Sequence, residues 1–144
     1  MIPATGRVLA VDWGSSRIGL AISDATQLVA TPLGTLRRRA GKRLPLRDFL
    51  TIVETEHPVG LVVGIPFDDR GLESDSAIQA RLMGDHFAER SALPVEWIDE
   101  SFSTTDAHSA MLEGGAKRDR RRHEIDAVAA AVVLTRWLEA RRTA

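Results

Sequence analysis

Acidic side chains occupy apolar surroundings at three places in this sequence. Asp12 lies inside the first apolar run, residues 7–13, which is typical of a strand buried on both faces. Asp99 and Glu100 directly follow a short apolar strand, and functional groups collect outside strand ends in open α/β sheets. Asp126 lies at the start of the last helix. Because an ionised carboxylate is unstable in apolar surroundings unless it is paired or metal-bound, these positions are candidates for chemistry.

Asp126 is the most informative of these acids, because its helix is apolar on the same side. It shares a stripe with Ala130, Val133 and Trp137, at offsets of four, seven and eleven residues. The helix dipole favours an acid in the first turn of a helix, but it does not explain an acid on an apolar stripe. His123 lies on the same side and is a candidate ligand or proton carrier; an exposed histidine at a helix start is the alternative.

Carboxylates from two strand ends and one helix start can converge on a single point. Several hard oxygen ligands select Mg²⁺ or Mn²⁺ rather than zinc, and the sequence contains no cysteine. Two such ions, about 3.5–4 Å apart, activate a water molecule and stabilise the leaving oxygen in phosphodiester hydrolysis. We therefore expect a site for two Mg²⁺ or Mn²⁺ ions. The structural alternative is that Asp12 bonds the turn at Gly14 and that Asp99 and Glu100 are solvated.

The elements that must position these acids follow an α/β pattern. Strands are predicted over residues 7–13, 18–23, about 29–36, 61–65 and 95–98. Helices are predicted over residues 45–57, from 74 or 76 to 91, from 103 to the glycines at 114 and 115, and over 123–141. The short link between the first two strands implies an antiparallel hairpin, and strands separated by helices imply parallel crossovers. The sequence therefore predicts a mixed five-stranded sheet, antiparallel in strands 1–3 and parallel in strands 4 and 5, with helices on both faces.

Two details of this pattern give specific predictions. Pro32 interrupts the third strand, which favours an edge position or a bulge because proline cannot donate to a ladder. In the second helix, Ile78, Leu82, Met83 and Phe87 form the stripe expected to face the core.

Length and composition favour one soluble globular domain, residues 1–144. The chain is 44% hydrophobic and 27% charged, which excludes wholesale disorder and collagen. The apolar runs are too short to cross a membrane, and no signal peptide precedes the first strand. The absence of cysteine suits a reducing compartment, so a cytoplasmic location is expected.

The net charge of −1 conceals an uneven distribution of charge. Residues 37–47 carry six basic side chains and no acid, residues 48–113 carry 14 acids against three arginines, and five basic residues crowd into 117–122. Fixed cations supply salt-dependent affinity for phosphates, so the basic clusters are candidate nucleic-acid contacts; a solvated loop is the alternative. The candidates are Arg37, Arg38, Arg39, Lys117, Arg118, Arg120, Arg121 and Arg122. Trp13 and Phe102 could stack on bases, although core packing is the favoured interpretation for Trp13.

Four segments resemble, in order, the motifs of one known family. Residues 12–24 (DWGSSRIGLAISD) look like the opening motif of the YqgF/RuvX family of pre-16S rRNA nucleases, relatives of the RuvC Holliday-junction resolvases with a ribonuclease H-like fold. Residues 63–66 with Gly71 resemble its second motif. Residues 99–104 (DESFST) resemble its "DERxTT" motif, and residues 125–130 (IDAVAA) its "DxxAA" motif. The resemblance spans nearly the whole chain.

The resemblance implies that Asp12, Glu100 and Asp126 are metal-binding catalytic acids. Water would attack a phosphodiester bond at a two-metal site, with 5′-end processing of pre-16S rRNA as the expected role in ribosome biogenesis.

The sequence departs from the family pattern at two cations. Ser16 stands where the family commonly has Lys, and Ser101 stands where it commonly has Arg. Both changes remove a positive charge close to the predicted site. Arg17 remains, and could hold a phosphate of the cleaved strand or pair with an acid.

Other functions stay open at the level of sequence. A Holliday-junction or other structure-specific DNA nuclease is the nearest; symmetric nicking needs a dimer, and both monomer and homodimer are compatible with the sequence. A non-catalytic nucleic-acid-binding module is disfavoured by the intact acidic triad. An ATP-dependent phosphotransferase is suggested by "DxGxxR", but 144 residues leave no room for its second lobe. The expected partners are pre-rRNA and branched or single-stranded DNA, with no membrane.

Overall fold

A mixed five-stranded sheet forms the centre of the computed structural model. The structure describes residues 1–14, 16–38, 44–66, 75–99 and 118–143, and it describes the side chains of the last helix from Glu124 onward. The strands are β1 (Val8–Trp13), β2 (Arg17–Ser23), β3 (Ala30–Arg37), β4 (Gly60–Ile65) and β5 (Val95–Asp99). The helices in these ranges are α1 (Leu46–Glu56), α2 (Asp75–Ser91) and α3 (Arg118–Thr143).

The sheet has the strand order β3-β2-β1-β4-β5. β1 pairs antiparallel with β2, and β2 antiparallel with β3, whereas β1–β4 and β4–β5 are parallel. This pattern confirms the mixed sheet predicted from the sequence. The prediction for Pro32 is also confirmed, because β3 is an edge strand and the β2–β3 register shifts between Leu20 and Ala21.

Helices cover both faces of the sheet, and each face has its own apolar core. On one face, α1 and α2 pack over Leu9, Val11 and Val63, with the rings of Phe49 and Phe87 stacked 3.9 Å apart. The opposite face is covered by α3. Its core combines Val8, Ala10, Ala21 and Val62 of the sheet with Ala130, Val133, Leu134 and Leu138 of the helix. The central strands are therefore buried on both faces, as their continuous apolar runs predicted.

The far end of α3 is tied to the rest of the fold through Glu96. The indole Nε1 of Trp137 donates a hydrogen bond to Glu96 Oε1 at 3.2 Å, and the backbone N–H of Ile2 donates to Glu96 Oε2 at 3.1 Å. The guanidinium of Arg141 donates to the carbonyl of Ile2 and lies 4.8 Å from the Trp137 ring centroid. These contacts hold the helix against the sheet well away from Asp126.

The prediction of which residues of α2 face the core was partly wrong. Met83 and Phe87 are buried as expected, but Ile78 and Leu82 are 49% and 50% exposed. Small residues face the sheet instead, because the helix lies too close to it for larger ones: a Cβ at Gly84 would lie 2.7 Å from ring carbons of Trp97. The buried residues of α2 are Ala77, Ala80, Met83, Gly84 and Phe87.

The C-terminal part of the pattern also differs from the prediction. α3 begins at Arg118 rather than at residue 123, so Asp126 lies in its interior and not in its first turn. The helix predicted from residue 103 lies outside the described residues. No helix in the described ranges is long and apolar enough to cross a membrane.

Candidate active site

Asp12 is the buried acid at the centre of the sheet. It lies next to the end of β1, and it is 7% exposed. Its register partners are Gly19 on β2 and Gly64 on β4. Because both neighbours are glycine, the adjacent strand positions place no side chain beside this carboxylate. Strand alternation directs it to the face covered by α3, the same face as Ala10.

Gly19 brings α3 to this carboxylate. A Cβ at Gly19 would overlap the carbonyl oxygen of Asp126 and would lie 2.7 Å from its carbonyl carbon. The backbone of α3 therefore rests directly on the strand position beside Asp12. Asp126 is half-buried, on the stripe with Ala130 and Val133 that the sequence predicted. Two of the three predicted acids thus lie at the same end of the sheet.

The position of Asp126 inside α3 removes one ordinary reason for an acid there. The helix begins eight residues earlier, at Arg118, and the helix dipole acts only within the first turn. The expectation that the dipole helps to account for Asp126 was therefore wrong. Its place above Gly19 gives the acid a different setting, at the edge of the apolar core and beside Asp12.

The remaining predicted ligands lie beyond the side chains that the structure describes. β5 ends at Asp99, an exposed residue whose register partner is Ile65. Glu100 is the next residue in the chain and lies outside the described residues, as do Ser101 and Phe102. His123 is on α3, and its side chain is not described. Among the described side chains, no group of three acidic or histidine residues could hold a metal ion.

The two described acids fit a magnesium or manganese ion by their chemistry. Carboxylate oxygens are the hard donors that these ions prefer. Asp12 is buried and has glycine at the register position on each neighbouring strand, so neither of those positions places a side chain against its oxygens.

Arginines from the β2–β3 ladder lie at this end of the sheet. Arg17 and Arg37 are register partners, so two cations stand directly opposite one another. Like charges in this arrangement destabilise a sheet unless an anion compensates them. In the part of the chain that the structure describes, the buried Nε of Arg17 has no hydrogen-bond partner. This pair is therefore suited to bind a phosphate.

Arg38 supports the turn that follows Asp12. Its guanidinium lies 3.8 Å from the Trp13 ring centroid, and its Nη1 donates to the carbonyl of Gly14 at 2.8 Å. Its backbone N–H donates to the carbonyl of Ser16 at 3.0 Å. Burial lowers the pKa of Arg38 from its ordinary value. The structure therefore gives this predicted nucleic-acid contact an internal role, and it confirms that Trp13 packs against the core.

The other basic residues are placed only in part. Arg39 and Lys117 lie outside the described residues. The remaining four lie in the first turns of α3, before Asp126, and their side chains are not described: Arg118, Arg120, Arg121 and Arg122.

The sequence reasoning missed the two glycines that flank Asp12. An isolated glycine inside an apolar strand often marks a close approach of another backbone, and both Gly19 and Gly64 carry that signal. The register that brings them to Asp12 depends on the folded sheet.

Solved structures of RuvC share this fold. RuvC of Thermus thermophilus in complex with a Holliday-junction substrate matches with a TM-score of 0.55 and 18% identity, over 95% of this chain and 96% of that chain. A second RuvC structure from Thermus thermophilus matches with a TM-score of 0.52, 18% identity and the same coverage. The ribonuclease H-like architecture expected from the sequence is therefore confirmed.

Sequence comparisons identify the family. The family model described as RuvX, Holliday junction resolvase, matches residues 6–140. Relatives named pre-16S rRNA nuclease include one from Mycobacteroides abscessus, 38% identical over 97% of this chain and 85% of the relative. Another, from Anaeromyxobacter sp., is 39% identical over 94% of this chain and 98% of the relative. As its four motifs predicted, the chain belongs to the RuvX family of nucleases, which are hydrolases acting on ester bonds.

Proposed function

We propose that this protein is a metal-dependent nuclease that hydrolyses phosphodiester bonds in the 5′-end processing of pre-16S rRNA in the cytoplasm. The observation that carries the proposal is the setting of Asp12, a buried carboxylate between two glycines with the backbone of Asp126 beside it. The names of the relatives support the substrate.

Asp12, Asp126 and Glu100 would hold the metal ions, with His123 as a candidate further ligand. When bound, two Mg²⁺ or Mn²⁺ ions supply an activated water and stabilise the leaving oxygen. Asp12 provides a carboxylate whose direction is set by the central strand of the sheet. Asp126 is held in place because α3 rests on Gly19 and is anchored at its far end by Glu96.

The arginines of the β2–β3 ladder would orient the substrate strand. A phosphate between Arg17 and Arg37 would relieve the repulsion between these two opposed cations. The basic residues at 117–122 precede Asp126 in the chain and would add salt-dependent affinity for neighbouring phosphates. Arg38 would act on the reaction through the turn that it holds after Asp12.

The decisive experiment is the substitution Asp12→Asn, which removes a charge with little change in shape. We expect it to abolish Mg²⁺- or Mn²⁺-dependent cleavage while leaving folding and nucleic-acid binding intact. Asp24→Asn is the matched control, because Asp24 is exposed and follows β2 at the opposite end of the sheet. Wild-type cleavage by the Asp12→Asn variant, in a preparation free of contaminating nuclease, would contradict the proposal.

Cleavage of branched DNA is a second candidate activity, favoured by the description of the matching family model. Symmetric nicking of a four-way junction needs two sites at a fixed separation, and hence a homodimer. The test compares cleavage of a four-way junction, duplex DNA, single-stranded DNA and precursor rRNA, each with the Asp12→Asn variant beside it. Paired nicks in the junction, made by a protein that sediments as a dimer, would favour this activity over rRNA processing.

A further inference from the structure

A small cleft opens on the face of the sheet opposite to the acids. It has a volume of about 320 Å³, at the lower end of the range for small-ligand sites. One wall is formed by Trp13 and Arg38, and another by α2 through Gln79, Leu82 and His86.

The cleft adjoins the candidate active site through the backbone of β1. Trp13 directly follows Asp12, and successive side chains of a strand point to opposite faces. Asp12 therefore faces α3, whereas Trp13 packs on the α2 side. A nucleic-acid strand that presents a phosphate to Asp12 at this end of the sheet has the cleft within reach of a neighbouring nucleotide.

The walls of the cleft have the chemistry of a base-binding platform. The Arg38 guanidinium lies over Trp13, with its central carbon 3.8 Å from the ring centroid, and so presents a cation backed by an aromatic ring. Proteins that bind unpaired RNA stack bases on aromatic rings and on guanidinium planes. Leu82, which is 50% exposed, offers an apolar edge, and the exposed side chains of Gln79 and His86 can hydrogen-bond a base edge.

We propose that this cleft binds one unpaired nucleobase of the substrate strand, next to the bond that is cleaved. The inference rests on the proposed nuclease function and adds a requirement for an unpaired nucleotide at a defined position. A paired base cannot enter, because its hydrogen-bonding edge and both of its faces are occupied in the duplex. Arg38, which lies over the Trp13 ring, forms the platform, and Gln79 and His86 contact the base edge.

The binding test uses the Asp12→Asn variant, which is expected to bind substrate without cutting it. The chain has three tryptophans, so its indole N–H groups give three NMR signals, and Trp13→Phe assigns the signal of Trp13. A short unstructured oligoribonucleotide should shift the Trp13 signal and leave that of Trp137 in place. The same sequence annealed into a duplex should not shift it. An abasic nucleotide at the bound position should weaken binding at least about fivefold, because the stacking of that base is lost.

Two truncations on α2 provide a matched comparison in the same background. Leu82 lines the cleft, whereas Ile78, one helical turn earlier and 49% exposed, does not. Leu82→Ala should weaken oligonucleotide binding about three- to tenfold, because the apolar edge of the cleft is lost. Ile78→Ala should leave the affinity unchanged. Equal effects of the two substitutions would overturn the inference.

The outcomes separate this inference from the nuclease function. Tight oligonucleotide binding with an unmoved Trp13 signal, or with no loss at any abasic position, would overturn the base-binding cleft and leave the nuclease proposal standing. A Trp13 signal that shifts with protein concentration alone would assign the cleft to a second copy of the chain and overturn the inference. Absence of both nucleic-acid binding and metal-dependent cleavage would overturn both proposals.

Discussion

Gly19→Ala is expected to disable the site without touching any acid. The added methyl group would lie 2.7 Å from the carbonyl carbon of Asp126, where ordinary van der Waals contact begins at 3.4 Å. α3 must therefore withdraw from β2 by at least about 0.7 Å, and it carries Asp126 away from Asp12. The strand cannot yield as easily, because its neighbours β1 and β3 hold it on both sides.

The displacement sets the size of the expected effects. Overpacking a core costs about 1–3 kcal/mol, so the free energy of unfolding should fall by an amount in that range. A misplacement of about 1 Å in a catalytic site costs on the order of a hundredfold in rate. We therefore expect kcat/KM for Mn²⁺-dependent cleavage to fall about ten- to a hundredfold, while the protein stays folded.

Urea unfolding and cleavage kinetics, measured on the same preparations, check this prediction. Gly84→Ala is the matched control, because its added methyl group meets the Trp97 ring at 2.7 Å on the opposite face of the sheet. That variant should also lose stability, offset in part by about 1 kcal/mol of helix propensity, and it should keep its activity. Full activity of Gly19→Ala would refute the reasoning. Equal loss of activity in both variants would show that general destabilisation is the cause.

Three further predictions address charged groups. Arg17→Gln should weaken nucleic-acid binding and lower the magnitude of the slope of log affinity against log salt concentration by about one, because one phosphate contact is lost. The control is Arg90→Gln, at the exposed end of α2, which should change neither the affinity nor the slope. Arg38→Met should lower the free energy of unfolding by about 1–2 kcal/mol, because it removes the contact with the Trp13 ring and the hydrogen bond to the Gly14 carbonyl. Urea denaturation measures this change, and an unchanged midpoint would contradict the structural role of Arg38. Hydrogen bonds from the Thr26 hydroxyl and the N–H groups of Val29 and Leu28 hold the pKa of Asp24 below its ordinary value of 3.8. The ionised Asp24 carboxylate therefore stabilises the folded protein above pH 3.8. This stabilisation is lost as the pH falls through the pKa of Asp24 in the folded state. The stability difference between wild type and Asp24→Ala should therefore shrink in acid, and a difference that stays constant with pH would refute the linkage.

The parts of the site that follow from local pattern could be predicted from the sequence. Asp12 could be recognised because it interrupts an apolar strand, and Asp126 because it interrupts the apolar stripe of a helix. Both signals depend only on periodicity, which any sequence displays directly. Their convergence with Glu100 stays a prediction, because Glu100 lies outside the described residues.

The parts that depend on register and close approach could not be predicted. The pairing of Asp12 with Gly19 and Gly64 arises only when three strands align. The side of α2 that faces the sheet was misjudged because hydropathy ranks Ile78 and Leu82 above alanine and glycine. Where a helix lies close to a sheet, only small residues such as alanine and glycine fit between them, whatever their hydropathy.

The packing of α3 on Gly19 also sets the stage of protein synthesis at which Asp12 and Asp126 can come together. Asp12 belongs to the first strand and Asp126 to the last helix, 114 residues later. At about 5–20 residues per second, a ribosome needs about 6–23 s to make the intervening chain. Through that interval the nascent protein carries Asp12 without its partner acid, while it is surrounded by the RNA of the ribosome that makes it. If Asp12 and Asp126 act together as proposed, cleavage cannot begin until α3 has docked, and the order of synthesis would keep an unfinished chain from cutting the ribosome that makes it.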